Sequence, residues 1–339
     1  MFFSRVFLGA AALYGVVDHV VAIPSPFSSY TTKPNTLRVE NFLNEGVGFN
    51  VVSSLIIVSQ SAVLVDVPID IPHAEVLADW IRKKTNQPLV AVFTTHHHPD
   101  HNLGTRTILD QFQEAQFFAS ENVMKHLVEE TPAMSERMRL AFGRENITSD
   151  PALPLVYPNT FFTLKGHEKE PVQIFENMVG DTVDVNMFWI PSQGVLIAGD
   201  TVYHRAMHLW LADVDTSALS STWLKTLDFI ASLKPSKVIP GHAASLDFNV
   251  ALDLKHCRQY IRFFQDKTFS RGPYFFTSSQ IAQMLGGAFP RRLEGPGDWA
   301  SEMFLNNTGG KFGRDSDRLP DILDMKQFNN ITYLQNWNL

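Results

Sequence analysis

Histidine and carboxylate side chains are concentrated in one short stretch of the chain, PLVAVFTTHHHPDHNLG, which spans residues 88–104. Directly after an apolar run it contains His96, His97, His98, Asp100 and His101. Imidazole and carboxylate are the ligands that a catalytic zinc ion prefers, and a coordination position without a protein ligand is open to water. The composition of this stretch fits a solvent-facing histidine tract, a structural metal clip or the floor of a catalytic metal site.

The spacing within the stretch favours a metal site. His96 and His98 alternate on an extended segment, so both side chains can project to the same side, and His97 is expected to point the other way as a core or supporting histidine. Pro99 has a fixed φ that helps to turn the chain, so Asp100 and His101 can face a second point a few ångströms away. Two metal ions about 3.5 to 4 Å apart can clamp a shared hydroxide.

The elements around the stretch alternate between strands and helices. Residues 37–68 predict two or three strands in a meander, and residues 71–87 show helical spacing through Val76, Leu77, Trp80 and Ile81. A strand, a helix and a second strand and helix follow, and residues 131–150 are predicted to be an inserted helical segment. The histidine stretch therefore falls on a strand-to-helix loop, where α/β folds place their sites.

The second half of the chain repeats the order of strands followed by helices. GVLIAGD is an apolar strand that ends in Asp200, and SKVIPGH is another that ends in His242. Each of these candidate ligands follows a glycine, which allows close approach of the backbone. The two halves predict two mixed β-sheets packed face to face with helices outside, an αββα sandwich over residues 23–247. Residues 248–339 are predicted to form a helical C-terminal extension.

These residues resemble the metallo-β-lactamase superfamily, whose signature His-x-His-x-Asp-His is matched by His96, His98, Asp100 and His101. The resemblance covers roughly residues 37–247 and includes the family's strand-end aspartate at Asp66, its Gly-Asp at Asp200 and its Gly-His at His242. It implies that His96 and His98 bind a first metal, that Asp100, His101 and His242 bind a second, and that Asp200 bridges them. Asp66 would order the histidine loop by hydrogen bonds.

One position departs from the family pattern. Where the family usually carries a histidine in a Gly-His-Thr context, as third ligand of the first metal, this sequence reads VGDTVD and places Asp181. A carboxylate can replace imidazole, so two zinc ions per chain are expected, although the added negative charge favours manganese or iron more than a histidine would. The alternative is that Asp181 caps a turn and leaves one site weak or empty.

The resemblance implies a hydrolase in which a metal-bound hydroxide attacks the carbonyl of a small ester, lactone, thioester or lactam. Asp100 or Asp200 would manage the proton. Tyr203 or His204, near the site, could polarise a substrate carbonyl or bind an oxyanion, with simple packing in their loop as the alternative. His208, His256 and Cys257 are expected to be structural. Alternative functions are an iron-dependent oxidoreductase of the same fold, a nuclease, and a noncatalytic metal-binding relative.

Composition limits the partners of the protein. The 339-residue chain has a net charge of −7 and no basic block, which argues against nucleic acid as a partner and leaves a small-molecule substrate. Cys257 is the one cysteine, so an intrachain disulfide and a cysteine zinc finger are both excluded. The sequence leaves the oligomeric state open.

The N-terminus has the architecture of a secretory signal peptide. Arg5 precedes an apolar core over residues 6–17, and small residues favour cleavage after Ala22. A membrane anchor is the alternative, but the apolar core is shorter than the roughly 20 residues of a spanning helix. N-glycosylation sequons begin at Asn146, Asn306 and Asn330. We therefore expect a secreted eukaryotic glycoprotein, such as a fungal enzyme of natural-product metabolism or detoxification, with no membrane contact after cleavage.

Overall fold

The first half of the protein is an antiparallel meander that continues into parallel strands. A computed structural model describes residues 37–272, 275–290 and 298–316. Its first elements are, in order, β1 (Arg38–Asn44), β2 (Val51–Ile57), β3 (Ala62–Val65), α1 (Ile71–Lys84), β4 (Leu89–Phe93), α2 (Thr105–Gln111), β5 (Gln116–Ala119) and α3 (Glu121–Phe142). β1, β2 and β3 pair antiparallel, as the sequence predicted, and β3, β4 and β5 pair parallel.

The second half contains further strands and most of the outer helices. In order, the elements are β6 (Leu155–Val156), β7 (Phe161–Phe162), β8 (Val172–Met178), β9 (Val185–Ile190), β10 (Val195–Tyr203), α4 (Ser217–Ser232), β11 (Lys237–His242), α5 (Val250–Lys267), α6 (Ser278–Ala288) and α7 (Asp298–Phe312). The helical pattern predicted after residue 247 is thus confirmed for α5, α6 and the described part of α7.

The strands form one curled mixed sheet, and its two halves correspond to the two sheets of the predicted sandwich. The halves join where β2 pairs with β11, at the register pair of His242 and Val51. One apolar cluster lies between the halves and includes Val65, Phe93, Phe188 and Ile197. Two further clusters lie under the outer helices, one beneath α1 and the other beneath α4 and α5. The order of layers is therefore helix, sheet, sheet, helix, which confirms the predicted fold class.

Two details of the predicted elements are wrong. Val76 is 55% exposed, so it lies on the outer side of α1 and not on its buried face with Leu77 and Ile81. The predicted inserted segment after residue 130 is no separate helix, because α3 runs without interruption from Glu121 to Phe142 across Pro132. Val123, Leu127, Thr131 and Ser135 are buried at a four-residue spacing, so packing of this face outweighs the helix-breaking effect of the proline.

The predicted signal peptide and glycosylation sequons differ in whether the structure describes them. The signal peptide and the Asn330 sequon lie outside the described residues. Asn146 is half-buried and donates from Nδ2 to the Phe142 carbonyl, whereas Asn306 is exposed on α7.

Among the described helices, none combines the length and the hydropathy that a membrane span needs. The described residues after 34 belong to one compact unit that includes α5, α6 and α7.

Candidate metal centre

The candidate ligands meet at one edge of the sheet, where neighbouring strands end. The loop after β4 carries the four residues of the histidine motif, with a short 3-10 helix over Pro99–His101, while β10 carries Asp200 and β11 ends in His242. Both predicted glycine contacts are present: a Cβ on Gly241 would collide with Asp200 Oδ1, and Gly199 has a φ of +50° against Thr95. These glycines let β10 and β11 bring Asp200 and His242 together. The prediction that the strand ends at Asp200 is wrong, because β10 continues to Tyr203, which pairs with His242 of β11.

Asp100, His101 and His242 form the first of two clusters of metal-ligand type. His101 Nε2 lies 3.2 Å from His242 Nε2, and Asp100 Oδ2 lies 3.4 Å from His242 Nε2. Neutral imidazoles that donate Nδ1–H to Asp66 and to the Phe49 carbonyl have acceptors at both Nε2 atoms. These nitrogens cannot hydrogen-bond each other, but both can bind one ion about 2.0 to 2.1 Å away. The set is the one that the resemblance assigns to the second metal.

His96, His98, Asp181 and Asp200 form the other cluster. His98 Nδ1 lies 3.1 Å from Asp181 Oδ2, and His96 Nε2 lies 3.9 Å from Asp200 Oδ2. Asp181 is fully buried in the loop between β8 and β9, beside the ligands of the histidine motif. The structure therefore places Asp181 next to His98 and within the same cluster as His96 and Asp200.

Asp200 lies between the two clusters. Its Oδ1 is 3.3 Å from His101 Nε2, and its Oδ2 is 3.1 Å from His242 Nε2. Tyr203 Oη donates to Asp200 Oδ2 at 2.6 Å and lies 3.1 Å from Asp181 Oδ2. The buried tyrosine ring also stacks on the His242 imidazole at an interplanar angle of 16°. Tyr203 thus positions two carboxylates and one imidazole, and its hydroxyl is committed to these contacts.

Each clustered histidine has its outward ring nitrogen held by a neighbour. His96 Nδ1 lies 3.0 Å from Thr95 Oγ1, and His242 Nδ1 donates to the Phe49 carbonyl at 2.7 Å. The equivalent partners are Asp66 for His101 Nδ1, at 2.9 Å, and Asp213 for His98 Nε2, at 3.2 Å. Such contacts fix the tautomer and aim the other nitrogen of each ring inward, which is how metal-binding histidines are held in proteins.

Asp66 organises the histidine loop as the resemblance implies. This buried residue adopts a φ of 63°, and its carboxylate accepts from Thr95 N at 2.7 Å and from Thr95 Oγ1 at 2.9 Å, besides its contact with His101. A non-glycine residue with a left-handed backbone carries a cost that only strong local contacts offset. Asp66 therefore joins the end of β3 to the start of the ligand loop.

We expect the Asp66→Asn substitution to destabilise the metal-free protein by about 3 kcal/mol, because an unsatisfied buried donor costs roughly 1 to 3 kcal/mol and the amide would oppose several donors. Chemical denaturation in the presence of a chelator measures the free energy of unfolding without a contribution from metal. Asp79→Asn is the matched control, since the Asp79 side chain is 69% exposed and its pair with Arg82 is a surface contact. Equal unfolding midpoints for the two variants would refute the assigned role of Asp66.

Protonation in the centre reflects the proximity of histidines and carboxylates. Burial alone would lower the pKa of His98, but Asp181 and Asp213 raise it well above its usual value. Burial and the neighbouring Asp200 raise the pKa of Asp181 to about 7. Although burial would raise the pKa of Asp200, His242 and His101 hold it well below its usual range. Bound protons thus offset the negative charge of these carboxylates. A bound metal ion would replace those protons as the source of positive charge.

The donor set fits a metal on independent grounds. His96 Nε2, Asp181 Oδ1 and Asp200 Oδ1 are buried and make no hydrogen bond within the described part of the chain. Buried polar atoms without a partner are rare because they cost free energy, and these three belong to residues of one cluster. Nitrogen and carboxylate oxygen donors together match borderline divalent ions. The clusters are therefore a candidate divalent metal site.

A cavity of about 880 Å³ opens over the centre. Asp100, Asp181, Asp200 and His242 line its floor. Its walls come largely from α3 and α7 and are rich in apolar side chains: Phe49, Ile69, Met134, Met138, Phe142, Val183, Trp210, Met303 and Phe304. The cavity can therefore hold a small molecule with a large apolar part.

The remaining candidates lie outside the clusters. His204 Nδ1 accepts from the Ala206 amide at 3.2 Å, so its ring takes part in the turn after β10. His208 Nδ1 lies 3.0 Å from Tyr260 Oη, and His256 Nε2 donates to the Met207 carbonyl at 2.8 Å. Cys257 is buried, its Sγ accepts from the Tyr203 amide, and burial raises its pKa to about 12. Their contacts are those of packing residues.

Sequence reasoning missed Asp213, which holds His98 from outside and accepts from Trp210 Nε1 at 2.5 Å. Asp213 lies in an irregular segment between β10 and α4, so no periodicity indicates which way its side chain points. The only sequence feature that marks Asp213 is its position shortly after an aromatic residue, Trp210. The contact lowers the pKa of Asp213 to about 2 against the effect of burial, through hydrogen bonding to His98.

The fold and the site together define a protein with a helix, sheet, sheet, helix architecture and a divalent metal site at the sheet edge. Residues 46–242 match the family model described as the metallo-beta-lactamase superfamily. The chain belongs to this superfamily, and the match ends at the candidate ligand His242.

Solved structures of metallo-beta-lactamases resemble the chain at low sequence identity. DIM-1 metallo-beta-lactamase exposed to ceftazidime is 21% identical over 69% of this chain and 95% of its own, with a TM-score of 0.46. The metallo-beta-lactamase from Pontibacter korlensis is 20% identical over 69% of this chain and 97% of its own, also with a TM-score of 0.46. TMB-1 is 20% identical over 67% and 97%, with a TM-score of 0.43. A search of curated proteins found no match.

Proposed function

We propose that the protein is a metal-dependent hydrolase that cleaves a small ester, lactone, thioester or lactam with a substantial apolar group. The observation that carries this proposal is the pair of histidine and carboxylate clusters on the floor of a cavity with apolar walls. His96, His98 and Asp181 would hold one ion, Asp100, His101 and His242 a second, and Asp200 would contact both. Zinc is the ion that we expect, with manganese or iron as substitutes that the carboxylate-rich set also accepts.

Divalent ions in this position would supply Lewis acidity toward a carbonyl oxygen and lower the pKa of water toward neutrality. The side chains of this chain then determine orientation and proton transfer. Asp100 reaches the cavity from beside His242 and His101, where it can accept a proton from the attacking water and return it to the leaving group. Asp200 is less suited to this exchange, because Tyr203 donates to its Oδ2 and its carboxylate would contact both ions.

The walls of the cavity support an apolar substrate. Met134, Met138 and Phe142 on α3 line the same cavity as Met303 and Phe304 on α7. Burial of apolar surface contributes roughly 25 cal/mol per Å², so a substrate that fills these walls would be bound largely by its apolar part. This arrangement leaves the reacting carbonyl at the floor, next to Asp100 and Asp181.

A substrate screen tests this proposal. Purified protein loaded with zinc is assayed against esters, lactones, thioesters and lactams in pairs that differ only in the size of the apolar group, and iron-loaded protein is assayed for oxygen consumption. We expect hydrolysis of at least one carbonyl class, with a higher kcat/KM for the larger apolar group. Oxygen consumption without hydrolysis would contradict the proposal and favour an oxidoreductase.

We also propose that the protein enters the secretory route through cleavage after Ala22 and that its sequons are glycosylated. The basis is the N-terminal sequence pattern and the exposure of Asn306 on α7. Intact-mass measurement of protein from the medium of a eukaryotic host tests both points. A full-length N-terminus or an unglycosylated mass would contradict the corresponding part.

A further inference from the structure

His97 is the one histidine of the HHH run that the two clusters do not use. Its ring stacks on the ring of His126 at a centroid distance of 4.5 Å, and both residues line the cavity over the candidate metal centre. Its Nδ1 is buried and has no hydrogen-bond partner within the described part of the chain, and its Nε2 lies 3.9 Å from Glu130 Oε2. This distance exceeds a hydrogen bond, so the imidazole contributes no strong contact to the fold that would explain its burial.

Two residues of α3 complete a group around His97. His126 and Glu130 lie one helical turn apart, and His126 Nδ1 is 3.5 Å from Glu130 Oε1. His126 Nε2 lies 3.1 Å from Asp184 Oδ2, and Asp184 is itself held by Asn122 Nδ2 at 3.3 Å. When the ring is neutral and donates Nε2–H to Asp184, Nδ1 is the nitrogen next to Glu130 that can bind a metal ion. A carboxylate behind the outer nitrogen is the same support that the ligands of the main centre have.

We propose that His97, His126 and Glu130 bind a further divalent metal ion, with Asp184 as the residue that positions His126. One ligand atom from each of the three lies within 4.8 Å of the others. The donors are two imidazoles and a carboxylate, which is a zinc-type set with room for water. The Glu130 side chain is 45% exposed, so the ion can enter from solvent.

The surroundings of the group favour a positive charge. Glu130 Oε2 lies 3.9 Å from His97 Nε2, and Asp184 Oδ2 lies 3.1 Å from His126 Nε2. These two carboxylates attract a cation to the side of the two imidazoles. An ion here would join α3 to the ligand loop at the wall of the cavity.

Zinc anomalous diffraction from crystals of the whole protein, combined with equilibrium zinc binding, tests the proposal. With zinc in excess we expect an anomalous peak between His97, His126 and Glu130, in addition to any peaks in the main centre. His126→Ala and Glu130→Gln should each remove this peak and one equivalent of bound zinc. Glu129→Gln is the matched control on the same helix, where the exposed carboxylate lies outside the group, and it should retain both signals.

Absence of the peak in the wild-type protein at saturating zinc would overturn the proposal, as would an unchanged peak in both variants. The second variant keeps the shape of the side chain, so it also separates loss of a ligand from loss of folding. Zinc binding at this group is measured without substrate. Failure of the hydrolase proposal therefore leaves the result unaffected, and the converse also holds.

Discussion

Substitution of Asp200 by asparagine is expected to abolish hydrolysis, because this carboxylate touches both clusters. Its oxygens lie 3.3 Å from His101 Nε2, 3.1 Å from His242 Nε2 and 3.9 Å from His96 Nε2. Asparagine keeps the size of the side chain but removes its charge and one acceptor. Since Lewis-acid stabilisation is worth several kcal/mol, kcat/KM should fall on the order of 1,000-fold, and the affinity of both metal positions should fall with it.

Tyr203→Phe is the graded control for Asp200→Asn. It removes the hydroxyl that holds Asp200 and Asp181 but leaves every proposed ligand in place, so a loss of roughly 10- to 100-fold is expected, as for other supports of metal ligands. Far-UV circular dichroism and thermal unfolding establish that both variants are folded. An Asp200→Asn enzyme that keeps both metals and more than half of the wild-type kcat/KM would refute the bridging role.

Replacement of Asp181 by alanine should empty the position that contains His96 and His98. Asp181 Oδ2 lies 3.1 Å from His98 Nδ1, and its Oδ1 is buried without a hydrogen-bond partner within the described residues. Loss of a direct ligand should cost more metal affinity than the roughly 10- to 100-fold that loss of a supporting residue costs. We therefore expect one metal equivalent fewer per chain and a matching loss of activity.

Asp181→His is the informative counterpart, because it restores the residue that the family usually has at this position. We expect it to retain the metal and to shift the preference of the position toward zinc over manganese, since imidazole is the softer donor. Asp110→Ala serves as the surface control, as Asp110 is exposed on α2. Unchanged metal stoichiometry and rate in Asp181→Ala would show that the assignment of Asp181 as a ligand is wrong.

The positions of the strand-end ligands could be predicted from the sequence because apolar strands have a clear pattern. Asp200 and His242 each end an apolar run after a glycine, and the ends of neighbouring strands meet at one sheet edge. The histidine motif follows β4 in the same way. A local sequence pattern is thus enough to predict where these ligands lie. The order and direction of the strands then leave the ligands few alternative positions at this edge.

The supports of the ligands could not be predicted in the same way. Asp213 comes from an irregular segment, and its contact with His98 depends on how that segment packs. The partners of His97 come from α3, whose full length depends on burial of its inner face and not on local helix signals around Pro132. His242 is held by the backbone carbonyl of Phe49. A sequence pattern cannot indicate this contact, because a backbone carbonyl does not depend on the residue type.

The most direct test of the account is hydrolysis measured before chelation, after chelation, and during the return of zinc to the metal-free protein. We predict that chelation abolishes the activity, that the purified protein holds two ions in the main centre, and that activity returns as zinc refills it. Thermal unfolding followed in parallel should show that the metal-free protein remains folded. Hydrolysis at an unchanged rate by metal-free protein, or activity that zinc fails to restore to folded protein, would contradict the account.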